Sequence, residues 1–283
     1  MKSTFAVRTM RAGELELALE WARQEGWNPG LDDAPAFWEA DPSGFFVAAL
    51  GEVPVGCISL VRYSESFAFL GLYIVHPEFR GRGYGKALWD KVISFAGDRT
   101  VGLDGVVAQQ DNYRRYGFQS AYRTLRYGGI PKMPDVAGRV DVAPVTQGKL
   151  EGLLRYDAGI FPGLRYSFLS AWCGAPRLRK SVMVGGGKRI RGYGTIRRCF
   201  EGHKIGPLFA NSPEVASALL ANLLSQTSGG PVYLDVPAEN AEAIGLAEAY
   251  GLSPVFETAR MYRGDAPEMP LNRIFAITTL ELG

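Results

Sequence analysis

Histidine and cysteine are scarce in this chain of 283 residues, and their scarcity removes whole classes of chemistry. Two histidines, His76 and His203, are too few for a histidine-rich catalytic metal centre. The cysteines Cys57, Cys173 and Cys199 show no CxxC spacing, which argues against a thiolate zinc site and a disulfide framework and fits a reducing cytoplasm. No metal is expected. A charge excess is missing too: 31 Lys+Arg against 29 Asp+Glu leave +2, so neither nucleic acid nor a membrane surface is expected as partner, and any anion site is local. No apolar run reaches the ~20 residues of a membrane helix. Near the N-terminus Arg8, Arg11, Glu14 and Glu16 interrupt any stretch that would read as a signal peptide.

What is present is ordinary globular material, 47% hydrophobic and 21% charged. The length is about twice that of a common ~100–150-residue domain. An internal duplication accounts for it. At an offset near 135 residues, Gly13, Leu15, Glu16 and Leu19 match Gly148, Leu150, Glu151 and Leu154. Gly71, Pro77 and Glu78 match Gly206, Pro213 and Glu214; Leu103-Asp104 matches Leu234-Asp235; Tyr116-Gly117, Thr124 and Arg126 match Tyr250-Gly251, Thr258 and Arg260. The order is colinear. The Pro- and Gly-rich stretch from Gly128 to Gly138 reads as the linker, with a boundary near Asp135 and domains at 1–134 and 135–283. Each copy alternates strand-like and helical patterns, which predicts an α/β fold of the α+β kind, a largely antiparallel mixed sheet packed by helices.

The segment Phe69 to Gly97 reads as strand, glycine loop, helix. Gly81, Gly83 and Gly85 let the backbone turn its N–H groups inward at a helix N-terminus, and Arg80, Arg82 and Lys86 add full charges, so a phosphate or pyrophosphate is expected there. A Walker loop is disfavoured because Ala87 stands where Ser or Thr is needed, and the glycine interval is wrong for a dinucleotide fingerprint.

Arg80-Gly81-Arg82-Gly83-Tyr84-Gly85, preceded by Val75-His76-Pro77-Glu78-Phe79, resembles the acetyl-CoA loop of the GNAT acyltransferase superfamily, whose pattern is Gln/Arg-x-x-Gly-x-Gly/Ala after a splayed strand. The WNPG segment at Trp27 and the closing ITTLELG resemble bacterial two-domain GNAT proteins of the YitH/HolE kind. The resemblance implies a tandem GNAT fold. It places the pyrophosphate of acetyl-CoA on Arg80, Gly81, Arg82, Gly83, Tyr84 and Gly85, and the pantetheine along Ile74 and Val75. It also implies direct acetyl transfer to a small-molecule amine, with Tyr113, four residues before Gly117-Phe118, as the acid that protonates the departing thiolate. A catalytically silent acyl-CoA sensor would keep the loop without needing Tyr113, and a protein-lysine acetyltransferase would need an open peptide groove.

The general base is the open position. Relatives often carry a Glu on the strand before the loop, but Phe67 to Val75 holds no carboxylate. Glu25, Trp27, Asp32 and Asp33 lie in what is expected to be a substrate-side loop. Asp104 and its counterpart Asp235 occur in both copies and are therefore expected to be structural. The second copy is degenerate. Pro213-Glu214-Val215 runs straight into a helix without the glycines or cations, and Ala247 stands in the place of Tyr113. A cofactor-free partner domain is expected. Gly185 to Gly194 reads as a β-hairpin turn, and Arg273 to Leu282 as a last strand that completes one sheet or the other.

Overall fold

The nine residues Phe67–Val75 form a strand from end to end, the fourth from one edge of a single sheet that both halves share. The computed structural model describes residues 4–133, 140–174, 177–185, 189–227 and 229–283. The first half runs β1 (Phe5–Thr9), α1 (Glu14–Gln24), α2 (Asp33–Ala40), β2 (Phe45–Leu50), β3 (Val53–Arg62), β4 (Phe67–Val75), α3 (Tyr84–Phe95), β5 (Thr100–Val106), α4 (Gln110–Arg115) and β6 (Gln119–Gly129). The second half repeats that order as β7 (Val142–Pro144), α5 (Leu150–Asp157), α6 (Tyr166–Cys173), β8 (Arg179–Val184), β9 (Gly192–Arg198), β10 (His203–Ala210), α7 (Pro213–Leu224), β11 (Val232–Pro237), α8 (Ala241–Ala249) and β12 (Ser253–Arg263), and adds β13 (Ile274–Ala276).

The strand order is β1-β2-β3-β4-β5-β12-β6-β11-β10-β9-β8-β7, a palindrome of equivalent strands, with β13 beside β10. Among the described residues only β4–β5 and β10–β11 pair in parallel. The last strands of the halves are exchanged: β12 lies between β5 and β6, and β6 pairs with β11. Thr124 sits directly opposite Thr258, its duplicate, so a pseudo-two-fold axis passes between them. The two halves therefore interleave. The boundary at Asp135 lies outside the described residues, and the linker reading needs correction at its start, because Gly128 and Gly129 belong to β6.

One face of the sheet carries a core common to both halves. Leu15, Leu19 and Ala22 of α1, Phe37 of α2, and Phe168 and Trp172 of α6 all bury into it, and Phe37 stacks on Trp172 at 6.2 Å. Such an aromatic pair adds about 0.5–1.5 kcal/mol beyond its buried area. On the other face there are two separate cores, α3 over Leu60, Leu70 and Leu103 and α7 over Leu208, Leu234 and Val236, each completed by the exchanged strand of the other half through Met261 and Tyr127.

A bulge in β4 positions the site. Ser59 faces Gly71 and Cys57 faces Ile74, so β4 carries one extra residue, and Leu72 takes the left-handed φ of 48°. Below the bulge β4 pairs with β5; the pairing ends at Leu70–Leu103 and the strands then separate. The second half repeats this, with a bulge between Ile205 and Leu208 and pairing of β10 with β11 that ends at Ile205–Leu234. There the gap is filled: β13 pairs with β10 at Leu208 and Phe209, and the Ile277 N–H donates to the Asp235 carbonyl at 2.9 Å.

The final strand is thus shorter than expected and completes the second half. Beyond it the tail crosses to the first half, where Tyr63 Oη donates to the Leu282 carbonyl at 2.9 Å. Its path explains two glycines. A Cβ at Gly206 would collide with the Ile277 and Thr278 carbonyl oxygens, and one at Gly71 with that of Glu281. The expected hairpin is present as antiparallel β8 and β9, whose turn residues 186–188 lie outside the described residues.

Candidate active site

The unfilled gap between β4 and β5 opens into a cavity of about 450 Å³. Ile74 and Val75 of β4, Arg80, and Tyr113 of α4 line it from the first half; Arg126 of β6 and Phe256 of β12 line it from the exchanged strands, and Glu281 from the tail. Glu25 and Trp27 complete the wall on the side of the loop after α1.

Next to it, Gly81 and Gly83 adopt φ of 75° and 84°, conformations that L side chains rarely take, and α3 begins immediately after Gly83. That start lies two residues earlier than the helical pattern from Lys86 indicates. Among the described residues, the amides from Gly81 to Lys86 make no backbone hydrogen bond. A row of unspent N–H donors at a helix N-terminus, beside Arg80, Arg82 and Lys86, fits a pyrophosphate, and the parted strands leave room for an extended pantetheine chain. Arg80 is engaged locally: its Nε donates to the Val75 carbonyl at 2.9 Å and its Nη2 contacts the Glu25 carboxylate. Lys86 pairs with Asp90 at 2.5 Å, and Arg82 lies over the Phe79 ring at 5.6 Å. Tyr84 stacks on Phe5 at 4.9 Å, so its side chain packs while its amide stays in the row.

Tyr113 is 9% exposed and held by a stacked contact with Trp89 at 5.5 Å. Burial, reinforced by neighbouring Tyr73, pushes its phenol well above the ordinary tyrosine range. It therefore keeps its proton at neutral pH. Tyr73, which also lines the cavity, is pushed up to about 12 by burial and by Tyr116 and Asp90.

The loop from Glu25 to Asp33 does not present all four of its expected residues. Glu25 and Trp27 line the cavity, but Asp33 is 1% exposed and buried against the second half, 3.5 Å from Arg179 and 3.3 Å from Arg197. A carboxylate neutralised by two buried guanidiniums is unavailable to a substrate. Asp32 is not a wall residue, and its carbonyl accepts from Arg179 Nη2. The segment binds the halves together: Asn28 Nδ2 donates to the Glu201 carbonyl at 2.8 Å and Asn28 Oδ1 accepts the Glu201 N–H at 2.9 Å. His76 packs between Trp21 and Phe79, and Glu78 is exposed.

In the second half α7 starts at Pro213, and Ser212 Oγ accepts the Val215 N–H at 3.5 Å, a capping bond that takes up one of the amides the first half leaves free. In this half β13 also occupies the place of the gap that stays open between β4 and β5. The wall residues Tyr73, Arg126, Phe256 and Glu281 carried no local signal in the sequence; the strand exchange and the tail bring the last three to the site.

Residues 14–118 match the acetyltransferase (GNAT) family model and residues 153–276 match an acetyltransferase (GNAT) domain model. The chain is 33% identical over 271 residues to the holothin acyltransferase of Pseudoalteromonas sp. (strain SANK 73390), spanning 95% of this chain and 92% of that protein. Among solved structures, a putative acetyltransferase from Pyrococcus horikoshii superposes with a TM-score of 0.81 at 22% identity, covering 99% of this chain and 96% of that one. A tandem GNAT protein from the clavulanic acid biosynthesis pathway superposes with a TM-score of 0.64 at 14% identity, covering 93% of this chain and 100% of that one. Among the described residues no helix is long and apolar enough to cross a membrane.

Proposed function

The chain belongs to the GNAT acetyltransferase family, and on that premise we propose that its first half transfers the acetyl group of acetyl-CoA directly to the amine of a small molecule. The observation that carries this reading is a pair of features found in the first half and lacking in the second: the unspent amides from Gly81 to Lys86, and the open gap between β4 and β5 beside Tyr113.

Acetyl-CoA supplies an activated acyl group. The loop amides, with Arg80 and Arg82, hold its pyrophosphate, and the backbone of Ile74 and Val75 aligns its pantetheine. Tyr113 gives its proton to the departing sulfur. Arg126 and Phe256, from the exchanged strands, close the acceptor end, which favours a compact amine over an extended peptide. The similarity to an acyltransferase named for holothin supports the same choice.

Calorimetric titration of acetyl-CoA into the wild type and into Gly83→Asp tests the reading. The aspartate places a negative charge and a Cβ in a left-handed position of the cradle. One site per chain, lost in the variant, is the expected result; no binding to the wild type overturns it. Two sites would show that the second half binds as well.

A further inference from the structure

The transfer needs a group to take the proton of the attacking amine, and β4 offers no carboxylate. Glu25, an acid on the cavity wall, is engaged by Arg80. The tail, however, brings a carboxylate to the bulge of β4. Glu281 passes so close to Gly71 that only a glycine fits there, and it lines the same cavity as Tyr113. It is 4% exposed, and its carboxylate has no hydrogen bond or ion pair among the described residues. A carboxylate set in a cavity wall with no protein partner has its acceptor positions free for a ligand.

Its surroundings are already assigned to one another. Four groups feel its charge: Asp104 of β5, Arg126 of β6, Arg197 of β9 and Lys204 of β10. Asp104 is paired with Arg260, Arg126 with Asp235 and Arg197 with Asp33, and Lys204 Nζ donates to the Trp27 carbonyl at 2.8 Å. Glu281 is the acid of this group that keeps its acceptor capacity for the cavity.

We propose that Glu281, contributed by the C-terminal tail across the two halves, is the catalytic base of the first-half site and selects an acceptor that enters as a primary ammonium ion. The assignment rests on the acetyltransferase reading above. Glu281 binds the ammonium and takes one proton, which passes on to water. The neutral amine nitrogen forms a bond to the thioester carbonyl carbon, and the carbon–sulfur bond breaks as Tyr113 protonates the sulfur. The second proton lost by the nitrogen restores Tyr113. The sum is an amide, free coenzyme A thiol and one released proton.

Glu281→Gln keeps the side-chain shape and removes the base. Full-length wild type and variant are titrated with acetyl-CoA, then assayed for thiol release with benzylamine, an ammonium ion at neutral pH, and with hydroxylamine, which is uncharged there. Acetyl-CoA affinity is expected to hold within about twofold while benzylamine turnover falls about 100-fold or more and hydroxylamine turnover falls less than about tenfold. Benzylamine turnover by the variant recovers as the pH approaches that of the free amine, and Glu281→Asp restores part of it at neutral pH. Equal losses with both nucleophiles, or no loss, overturn the role of Glu281. A wild type that binds no acetyl-CoA, or acetylates neither nucleophile, overturns the acetyltransferase reading instead.

Discussion

Arg260 holds Asp104 in a two-point grip, Nε to Oδ1 at 3.0 Å and Nη2 to Oδ2 at 2.8 Å, and both side chains are buried. Their duplicates do the same in reverse: Arg126 grips Asp235 at 2.7 and 2.9 Å. Each half lends its arginine to the aspartate of the other. The pairs tie β12 to β5 and β6 to β11, the strands that flank the pseudo-two-fold axis.

Breaking one pair from one side strands a buried charge. Asp104→Asn is expected to lower stability by about 3–5 kcal/mol, whereas Asp104→Leu combined with Arg260→Met, which removes both charges, recovers most of that loss. Urea unfolding of the two variants checks the contrast. Equal stability of single and double variants would show that the pair contributes through packing alone.

Tyr113→Phe removes the one hydroxyl assigned to the leaving thiolate and leaves the stacked contact with Trp89 in place. Turnover of benzylamine is expected to fall about 10²–10⁴-fold with acetyl-CoA affinity intact. Because burial holds the phenol well above its ordinary range, the wild type shows no loss of rate from Tyr113 ionisation at neutral pH. Unchanged turnover in the variant would take Tyr113 out of the mechanism.

Lys204 predicts a pH dependence of stability. Burial, with Arg126 next to it, pushes its ammonium down to about 8. Between about pH 8 and the usual lysine value near 10.4 the unfolded chain holds a proton that the folded chain has released, so stability rises with pH through that window. Below pH 8 both states are charged and the slope from this group vanishes. Lys204→Met is expected to flatten the rise and to stabilise the fold at pH 7 by up to about 3 kcal/mol. The Trp27 carbonyl keeps a donor in Arg126 Nη1 at 3.2 Å. Urea midpoints at pH 7 and 9.5 decide it; a variant less stable than the wild type at pH 7 would show that the Lys204 bond to Trp27 outweighs the buried charge.

Local patterns made the glycine loop proposed to hold a pyrophosphate legible, since the loop, its cations and the following helix are contiguous from Arg80 onward. Tyr113 was legible by its interval to Gly117-Phe118. The duplication identified Asp104 with Asp235 and Arg126 with Arg260 as matching positions, yet position alone does not say that an arginine pairs across the axis rather than within its own copy. Asp33 was misplaced for a related reason: its partners Arg179 and Arg197 lie more than a hundred residues away and meet it only when α2 packs on α6. Glu281 had no local cue, because what gives it a role is Gly71, on a strand 210 residues earlier in the chain.

The palindromic order of the sheet has an evolutionary corollary. An arrangement with this symmetry is what two identical subunits form when they trade their last strands, and in such a dimer every substitution appears at both sites at once. Joined in a single chain, the two sites change independently. One gap can be closed by β13 while the other stays open, and the residue that follows from closing the first can be put to use in the second. The filled gap is therefore the anchor from which the tail reaches the open one.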